Sequence, residues 1–192
     1  MARGKIMVAM QIIMMILIAL SISGPALSLW RDVVDISLFY SNRSVICTLK
    51  TTMDVTARYS KIDYVNNTTP DYTDFRRYYG EDHDPPYEDL LGTFMNMDKT
   101  RKDPPYNGML VTLQQGGTNK SIEELSKSFG NNTCGIFFVY PWTEQGMYME
   151  LRVKTSMVGS VDKDCMSEYL KVTLNSTVTT LNNKTCLQAR QG

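Results

Sequence analysis

The sequence is poor in histidine and has no excess of charge of either sign. It contains one histidine, His83, and four cysteines, none of which form a Cys-x-x-Cys motif. Because structural zinc sites use clustered Cys and His ligands, we expect no metal and no cofactor. The 20 basic and 20 acidic residues cancel. This balance argues against nucleic acid or an anionic membrane as a partner.

The sequence also lacks any arrangement that resembles a catalytic nucleophile with its base. The single histidine lies in the segment EDHD at 81–84, which suggests a metal site or an acid–base pair. Gly80 and the Pro85-Pro86 pair flank this segment and favour an exposed loop instead. We therefore predict that the protein is not an enzyme.

A long apolar run occurs only near the N-terminus, at residues 6–20, after the basic residues Arg3 and Lys5. Small residues follow it, which is typical of a secretory signal peptide. A membrane anchor is the alternative, but the run is shorter than the roughly 20 residues that a span needs. We predict a signal peptide at 1–28 and a secreted domain at 29–192, with no membrane association.

The segment after the signal peptide is long enough for one domain with a sizeable core. Cleavage is expected after Ser28, with Ser23 and Ala26 as alternatives. The four cysteines are an even number in a secreted chain, so they imply two disulfides. They are Cys47, Cys134, Cys165 and Cys186.

Acceptor sites for N-linked sugar are abundant. Seven asparagines begin an Asn-x-Ser/Thr sequence. A glycan must stay in solvent, so these positions also mark segments that cannot be buried. We expect at most one glycan on the adjacent Asn66 and Asn67. The seven positions are Asn42, Asn66, Asn67, Asn119, Asn131, Asn175 and Asn183.

The chain contains short segments that are apolar or that alternate apolar with polar residues, and turns rich in Gly, Pro and Asn separate them. This pattern predicts a barrel or a sandwich of β-strands. The sixth segment, SIEELSKSF, also fits a helix, because Ile122, Leu125 and Phe129 share the helical period. The predicted strands are 44–50, 58–65, 75–79, 88–97, 108–114, 121–129, 133–140 and 146–153.

Two segments break the strand pattern. Residues 29–39 are predicted to form a short helix. Residues 161–174 predict an amphipathic helix that begins near Asp162 or Asp164. Its apolar face would consist of Met166, Tyr169, Leu170 and Leu174.

Several of these segments resemble the tick salivary lipocalins, which include the histamine-binding proteins. The resemblance covers most of the chain after residue 28. It rests on VICTLK, SIEELS, NTCGIFFV, YMELRVKTS, KDC before a helix, and KTCLQ. It implies an eight-stranded antiparallel lipocalin barrel with a C-terminal helix packed outside. It also implies the disulfides Cys47–Cys186 and Cys134–Cys165.

The same resemblance implies a function. These lipocalins are secreted into a bite wound, where they sequester a small host mediator such as histamine, serotonin, a leukotriene or another lipid. Such binding would dampen host inflammatory and haemostatic defence. We expect a monomer whose partner is a small molecule.

The chain departs from the family pattern at several positions. The Gly-x-Trp signature is absent, which leaves Trp30 as the candidate to close one barrel end. The sequence pattern of the amine-binding members resembles Cys-Asp-aliphatic, followed by Glu-Leu-Trp/Tyr. Here Glu150 is retained, but Gly135 replaces the acid and Arg152 the aromatic residue. An ammonium ligand needs carboxylates and an aromatic wall. Arg152 with Tyr148 therefore favours the carboxylate of a fatty acid or a leukotriene.

The last two strands indicate which side chains face the interior, because strand side chains alternate between two faces. With Cys134 against the helix, Phe137 and Val139 face the interior. The neighbouring strand then packs its methionine side under the helix and points Tyr148, Glu150 and Arg152 inward. We take these five inward residues as the candidate ligand-binding residues.

A carboxylate inside a barrel is costly unless it is paired. Either Arg152 and Tyr148 satisfy Glu150, or a cationic ligand does. The alternative is an open sheet on which this face is solvated. A second functional hypothesis is a glycosylated decoy that binds a protein through loops such as Tyr78 to Tyr87, because protein-binding surfaces are rich in aromatic residues.

Overall fold

A computed structural model describes residues 34–81, 86–143, 146–182 and 184–189. The predicted signal peptide at 1–28, Trp30, His83 and the Asn183 sequon lie outside the described residues. The expectations about them stay predictions.

Eight antiparallel strands close into a barrel. Each strand pairs with the next, and β1 closes the barrel by pairing with both β2 and β8. The expected barrel is confirmed, and the sixth segment is a strand. The strands are β1 (Val45–Thr51), β2 (Ser60–Thr68), β3 (Tyr72–Gly80), β4 (Tyr87–Met95), β5 (Gly108–Leu113), β6 (Asn119–Phe129), β7 (Cys134–Pro141) and β8 (Tyr148–Lys154). A two-residue strand, β9 (Thr179–Thr180), adds to β1.

Helix α1 (Ile36–Phe39) closes one end of the barrel. Its N-cap is Asp35, which accepts a hydrogen bond from the Ser37 amide at 2.9 Å. Ile36, Phe39 and the following Tyr40 are fully buried in the interior cluster. We call this the closed end and the opposite end the mouth. Within the described residues, the helix begins later than the predicted 29–39.

Helix α2 (Lys163–Val172) packs outside the barrel, mainly on β6 and β7. Its N-cap is Asp162, which accepts hydrogen bonds from the amides of Asp164 and Cys165 at 2.9 Å. Tyr169 is buried against the apolar outer side chains of β7 and β8. The predicted apolar face is wrong in part. Leu170 is 49% and Leu174 is 80% exposed, because the helix faces the wall through Cys165 and Tyr169 and ends before Leu174.

Two disulfides fasten the C-terminal segment to the barrel. Cys134 bonds Cys165 and joins β7 to α2. Cys47 bonds Cys186 and joins β1 to α3 (Lys184–Ala189). The expected pairing is confirmed. A single 3₁₀ turn (Thr155–Met157) connects β8 to the segment before α2.

Within the described ranges, no helix combines the length and the apolarity that crossing a membrane requires.

Candidate functional site

Strand alternation carries six charged side chains into the barrel. On each strand they follow the same two-residue period as interior apolar residues: Phe75 precedes one of them on β3, and Leu125 follows another on β6. All six are buried. They are Lys61 and Asp63 on β2, Arg77 on β3, Glu123 on β6, and Glu150 and Arg152 on β8.

Two cations hold the carboxylate of Glu150. The Lys61 ammonium donates to its two oxygens at 2.9 and 3.0 Å. The Arg152 Nε donates to Oε2 at 2.7 Å. Arg152 therefore pairs with Glu150, but Lys61 takes the place that the sequence suggested for Tyr148. The Tyr148 ring instead lies 5.8 Å from the Lys61 ammonium.

The pairing continues across the barrel. Arg152 also donates to Glu123 and, at 2.6 Å, to the Tyr40 hydroxyl. Arg77 donates to Glu123 and to Asp63, each at 2.7 Å. The Tyr40 hydroxyl donates to Asp63 at 2.7 Å and completes the circuit. We call these six charged residues and Tyr40 the interior network.

The interior network is electrically balanced, with three cations and three carboxylates. Burial by itself raises the pKa of Glu123, but the charges of Arg152 and Arg77 outweigh it and hold that pKa well below its usual range. Arg152 and Lys61 likewise outweigh burial and lower the pKa of Glu150. Arg77 does the same for Asp63. All three carboxyls are therefore ionised at neutral pH, and each has a cation from the chain.

Aromatic rings fill the barrel between the interior network and the closed end. The Arg152 guanidinium lies 4.3 Å from the centre of the Phe137 ring. The Phe137 ring packs edge-on against Phe39 at 5.1 Å, and the Tyr40 and Phe75 rings are 5.4 Å apart. Phe137 and Val139 both lie in the interior cluster, on the face where the sequence places them. Their ligand-binding role, like that of Tyr148, Glu150 and Arg152, stays a prediction.

Gly135 occupies the position at which the resemblance to amine-binding salivary lipocalins implies an acid. A Cβ atom there would stand 2.8 Å from side-chain carbons of both Leu125 and Phe39. Helix α1 therefore places an aromatic ring where a carboxylate would otherwise project. An acid at this position would therefore clash with the packing that closes this barrel.

Tyrosines surround the network on its mouth side. Lys61 lies opposite Tyr79 where β2 pairs with β3. Burial raises the pKa of Tyr148 and of Tyr59, and the negative charge of Glu150 adds to the effect. Burial and the nearby Glu88 raise the pKa of Tyr79 to about 12. All three tyrosines are partly exposed. Tyr79 is hydrogen-bonded to Glu88, so Tyr59 and Tyr148 are the two that can donate hydrogen bonds to a molecule entering from the mouth.

Sequence reasoning missed most of this site. It did not identify Tyr40, Tyr59, Lys61, Asp63, Arg77, Tyr79 and Glu123. A usable signal was present, because charges that share the two-residue period of inward apolar residues also point inward. Within the described residues, no three His, Cys, Asp or Glu side chains gather as metal ligands would.

The aromatic segment proposed for a protein-binding decoy begins and ends in strands. Tyr78 on β3 lies opposite Tyr87 on β4, with ring centres 5.4 Å apart. Tyr64 packs on Tyr78 at 5.4 Å, and the Arg76 guanidinium lies 4.1 Å from the Tyr87 ring centre. Residues 82–85 lie outside the described residues, and the decoy role stays a prediction.

No protein-family model matches the chain, and no curated protein matches it. Solved structures do match. Japanin from Rhipicephalus appendiculatus, bound to cholesterol, is 10% identical with a TM-score of 0.51, over 73% of this chain and 92% of its own. AM182 in a serotonin complex is 14% identical with a TM-score of 0.52, over 80% and 92%. The siderocalin Ex-FABP is 9% identical with a TM-score of 0.52, over 72% and 92%. These similarities establish the lipocalin fold.

Proposed function

We propose that the protein is a secreted carrier that sequesters a small amphipathic acid, such as a fatty acid or a leukotriene, in the mouth half of its barrel. The balanced interior network supports this proposal. Capture of such a mediator would dampen host inflammatory and haemostatic defence, as the resemblance to the salivary lipocalins implies.

The interior network disfavours an amine. Each interior carboxylate already pairs with a cation of the chain. A histamine ammonium could bind one only by displacing Lys61, Arg152 or Arg77 from it. Breaking such a buried pair is costly, because it leaves a charge uncompensated. Proteins of similar fold are found in complexes with an amine, serotonin for AM182, and with a neutral sterol, cholesterol for Japanin. The fold therefore leaves the choice of ligand to the interior side chains.

An acidic head group would find hydrogen-bond donors on the mouth side of the interior network. Two of the three N–H groups of Lys61 donate to Glu150, which leaves one for a ligand. The hydroxyls of Tyr59 and Tyr148 add further donors. The apolar tail would contact Leu113 and Val139, which belong to or pack against the interior cluster. Apolar walls with a few polar groups are typical of lipocalin-sized ligand sites.

Calorimetry with oleic acid, a leukotriene, histamine and serotonin tests the proposal. We expect the acids to bind more tightly than the amines. Lys61→Met gives the network a net negative charge, so acid affinity should fall about tenfold and histamine affinity should rise. Lys127→Met is the matched control, because Lys127 pairs with Glu168 of α2 on the outer wall of the barrel. Its acid affinity should not change.

Sub-micromolar histamine binding to the unmodified protein, lost in Glu150→Gln, would refute the proposal and support an amine carrier. Mass spectrometry of small molecules extracted from the purified protein provides a second test. If no acid co-purifies and none binds, the decoy hypothesis replaces the carrier.

A further inference from the structure

The outer wall of β5, β6 and β7 carries apolar side chains that the described part of the molecule buries only in part. Met109, Glu123 and Phe137 point inward, so the next residue on each strand points outward. The outward row contains Leu110, Ile122, Phe138 and Tyr140. These four are partly exposed and belong to neither apolar cluster of the protein.

One carboxylate lies at the centre of this wall. Glu124 pairs across strands with Phe138 on one side and with Gly108 on the other. The Met97 thioether lies over Gly108, 3.0 Å from where a Cβ atom would stand. Tyr140 completes the rim, since it pairs with the adjacent Ile122 and its hydroxyl reaches Glu124. Two aromatic rings and a methionine therefore surround a single negative charge.

The Glu124 carboxylate has only weak hydrogen bonds. Its two contacts are long, 3.4 Å from the Tyr140 hydroxyl and 3.5 Å from the Asn107 amide nitrogen. Hydrogen bonds to a carboxylate are normally well below 3 Å. No described cation lies within salt-bridge distance of it, whereas the three interior carboxylates all have one. Burial raises the pKa of Glu124.

We propose that this wall, which we call the Glu124 face, is a docking surface for a partner protein that presents a lysine or arginine flanked by apolar residues. The basic group would pair with the carboxylate and lie against Phe138 and Tyr140. Rings beside a carboxylate favour a cation in this way. The apolar flanks would cover Leu110 and Ile122. The row spans three strands, which exceeds what one small amine can contact, so a protein segment fits it better.

The composition of the Glu124 face agrees with this role. Protein interfaces are enriched in aromatic residues and methionine, and Phe138, Tyr140 and Met97 supply both here. The sequons nearest in sequence, Asn119 and Asn131, lie at the start of β6 and just beyond its end. Glycans at those positions would therefore leave the middle of the wall free.

NMR titration of isotopically labelled protein tests the proposal. The probes are acetyl-Leu-Lys-Leu-amide and acetyl-Leu-Arg-Leu-amide, with acetyl-Leu-Gln-Leu-amide as the uncharged match and hexylammonium as a free amine. We expect the basic peptides to shift the signals of Glu124, Phe138 and Tyr140, and the glutamine peptide to bind at least about tenfold more weakly.

Glu124→Gln should weaken binding of the basic peptides about tenfold. Phe138→Leu keeps the apolar volume, removes the ring and should also weaken it. Asp89→Asn is the matched control on the outer wall, since Asp89 already pairs with Arg76 at 2.8 Å. Asp89→Asn should bind the basic peptides as tightly as the unmodified protein does.

The proposal would be overturned by an absence of shifts on the Glu124 face, by unchanged binding in Glu124→Gln, or by hexylammonium binding as tight as the peptides. The last result would indicate a small-amine site instead. Shifts confined to Tyr148 and the other mouth residues would also overturn it. Lys61→Met should leave peptide binding intact, so this test does not depend on what the barrel carries.

Discussion

Gly135 shows how one position links the packing of the closed end to the choice of ligand. Phe39 and Leu125 lie where its side chain would project. Arg152 lies opposite Gly135 in the pairing of β7 with β8, and its guanidinium contacts Phe137. A small residue, an aromatic ring and a buried cation thus occupy the region in which the amine-binding pattern has an acid and an aromatic residue.

Gly135→Asp should therefore fail to create an amine site. Overpacking and an extra buried carboxylate should lower the free energy of unfolding by about 3 kcal/mol or more. Urea denaturation measures the loss, and calorimetry measures histamine binding. Gly159→Asp is the control, because no atom lies within 4 Å of its added Cβ. A stable Gly135→Asp protein that binds histamine tightly would contradict this reading of the closed end.

Among the elements, α2 depends on a few contacts for its position. Its buried side chains are Cys165 and Tyr169, and the Cys134–Cys165 disulfide holds its first turn against β7. Asp162 accepts from two amides that otherwise have no partner within the helix. The cap and the disulfide therefore fix the same turn of the helix.

Asp162→Ala should lower the free energy of unfolding by about 1 kcal/mol, because it removes this N-cap. Asp164→Ala is the comparison: Asp164 lies in the same turn but should cost only a few tenths of a kcal/mol, from its interaction with the helix dipole. Urea denaturation of both variants with the disulfides intact checks the difference. Equal losses would mean that the cap does not contribute as the geometry indicates.

Across the whole molecule, the interior network ties four strands and the residue that follows α1 into one unit. Asp63, Glu123 and Glu150 have lowered pKa values in the folded state. At mildly acidic pH the folded protein therefore binds fewer protons than the unfolded chain. The stabilisation is complete above the unfolded pKa values of about 4 and is lost as pH falls through the folded ones.

The free energy of unfolding should accordingly fall when the pH is lowered from about 5 towards 2. Glu123→Gln removes the carboxylate between the two arginines and should cost about 3–5 kcal/mol at neutral pH. The variant should also lose less stability on acidification, because one titrating group is gone. Thermal denaturation across this pH range measures both effects. Identical pH dependence in the two proteins would contradict the assignment.

The sequence by itself determined the strands, the outer helix, and the placing of Phe137 and Val139 on one face of their strand. These features follow from local periods of two and 3.6 residues, which need no knowledge of distant partners. The disulfide pairing came from the resemblance to a family. Leu170 and Leu174 show the limit of periodicity, because a helical period does not say how much of a face its neighbour covers.

Only the tertiary structure decided which charges meet. Lys61 and Glu150 are 89 positions apart, and Arg77 and Glu123 are 46 apart. Barrel closure brings β1 against both β2 and β8, and the registers shift at bulges in β1 and β6. A period of two places a charge on the inner face, but its partner depends on closure and register. For that reason the paired interior and the unpaired Glu124 outside it emerge only in the folded barrel.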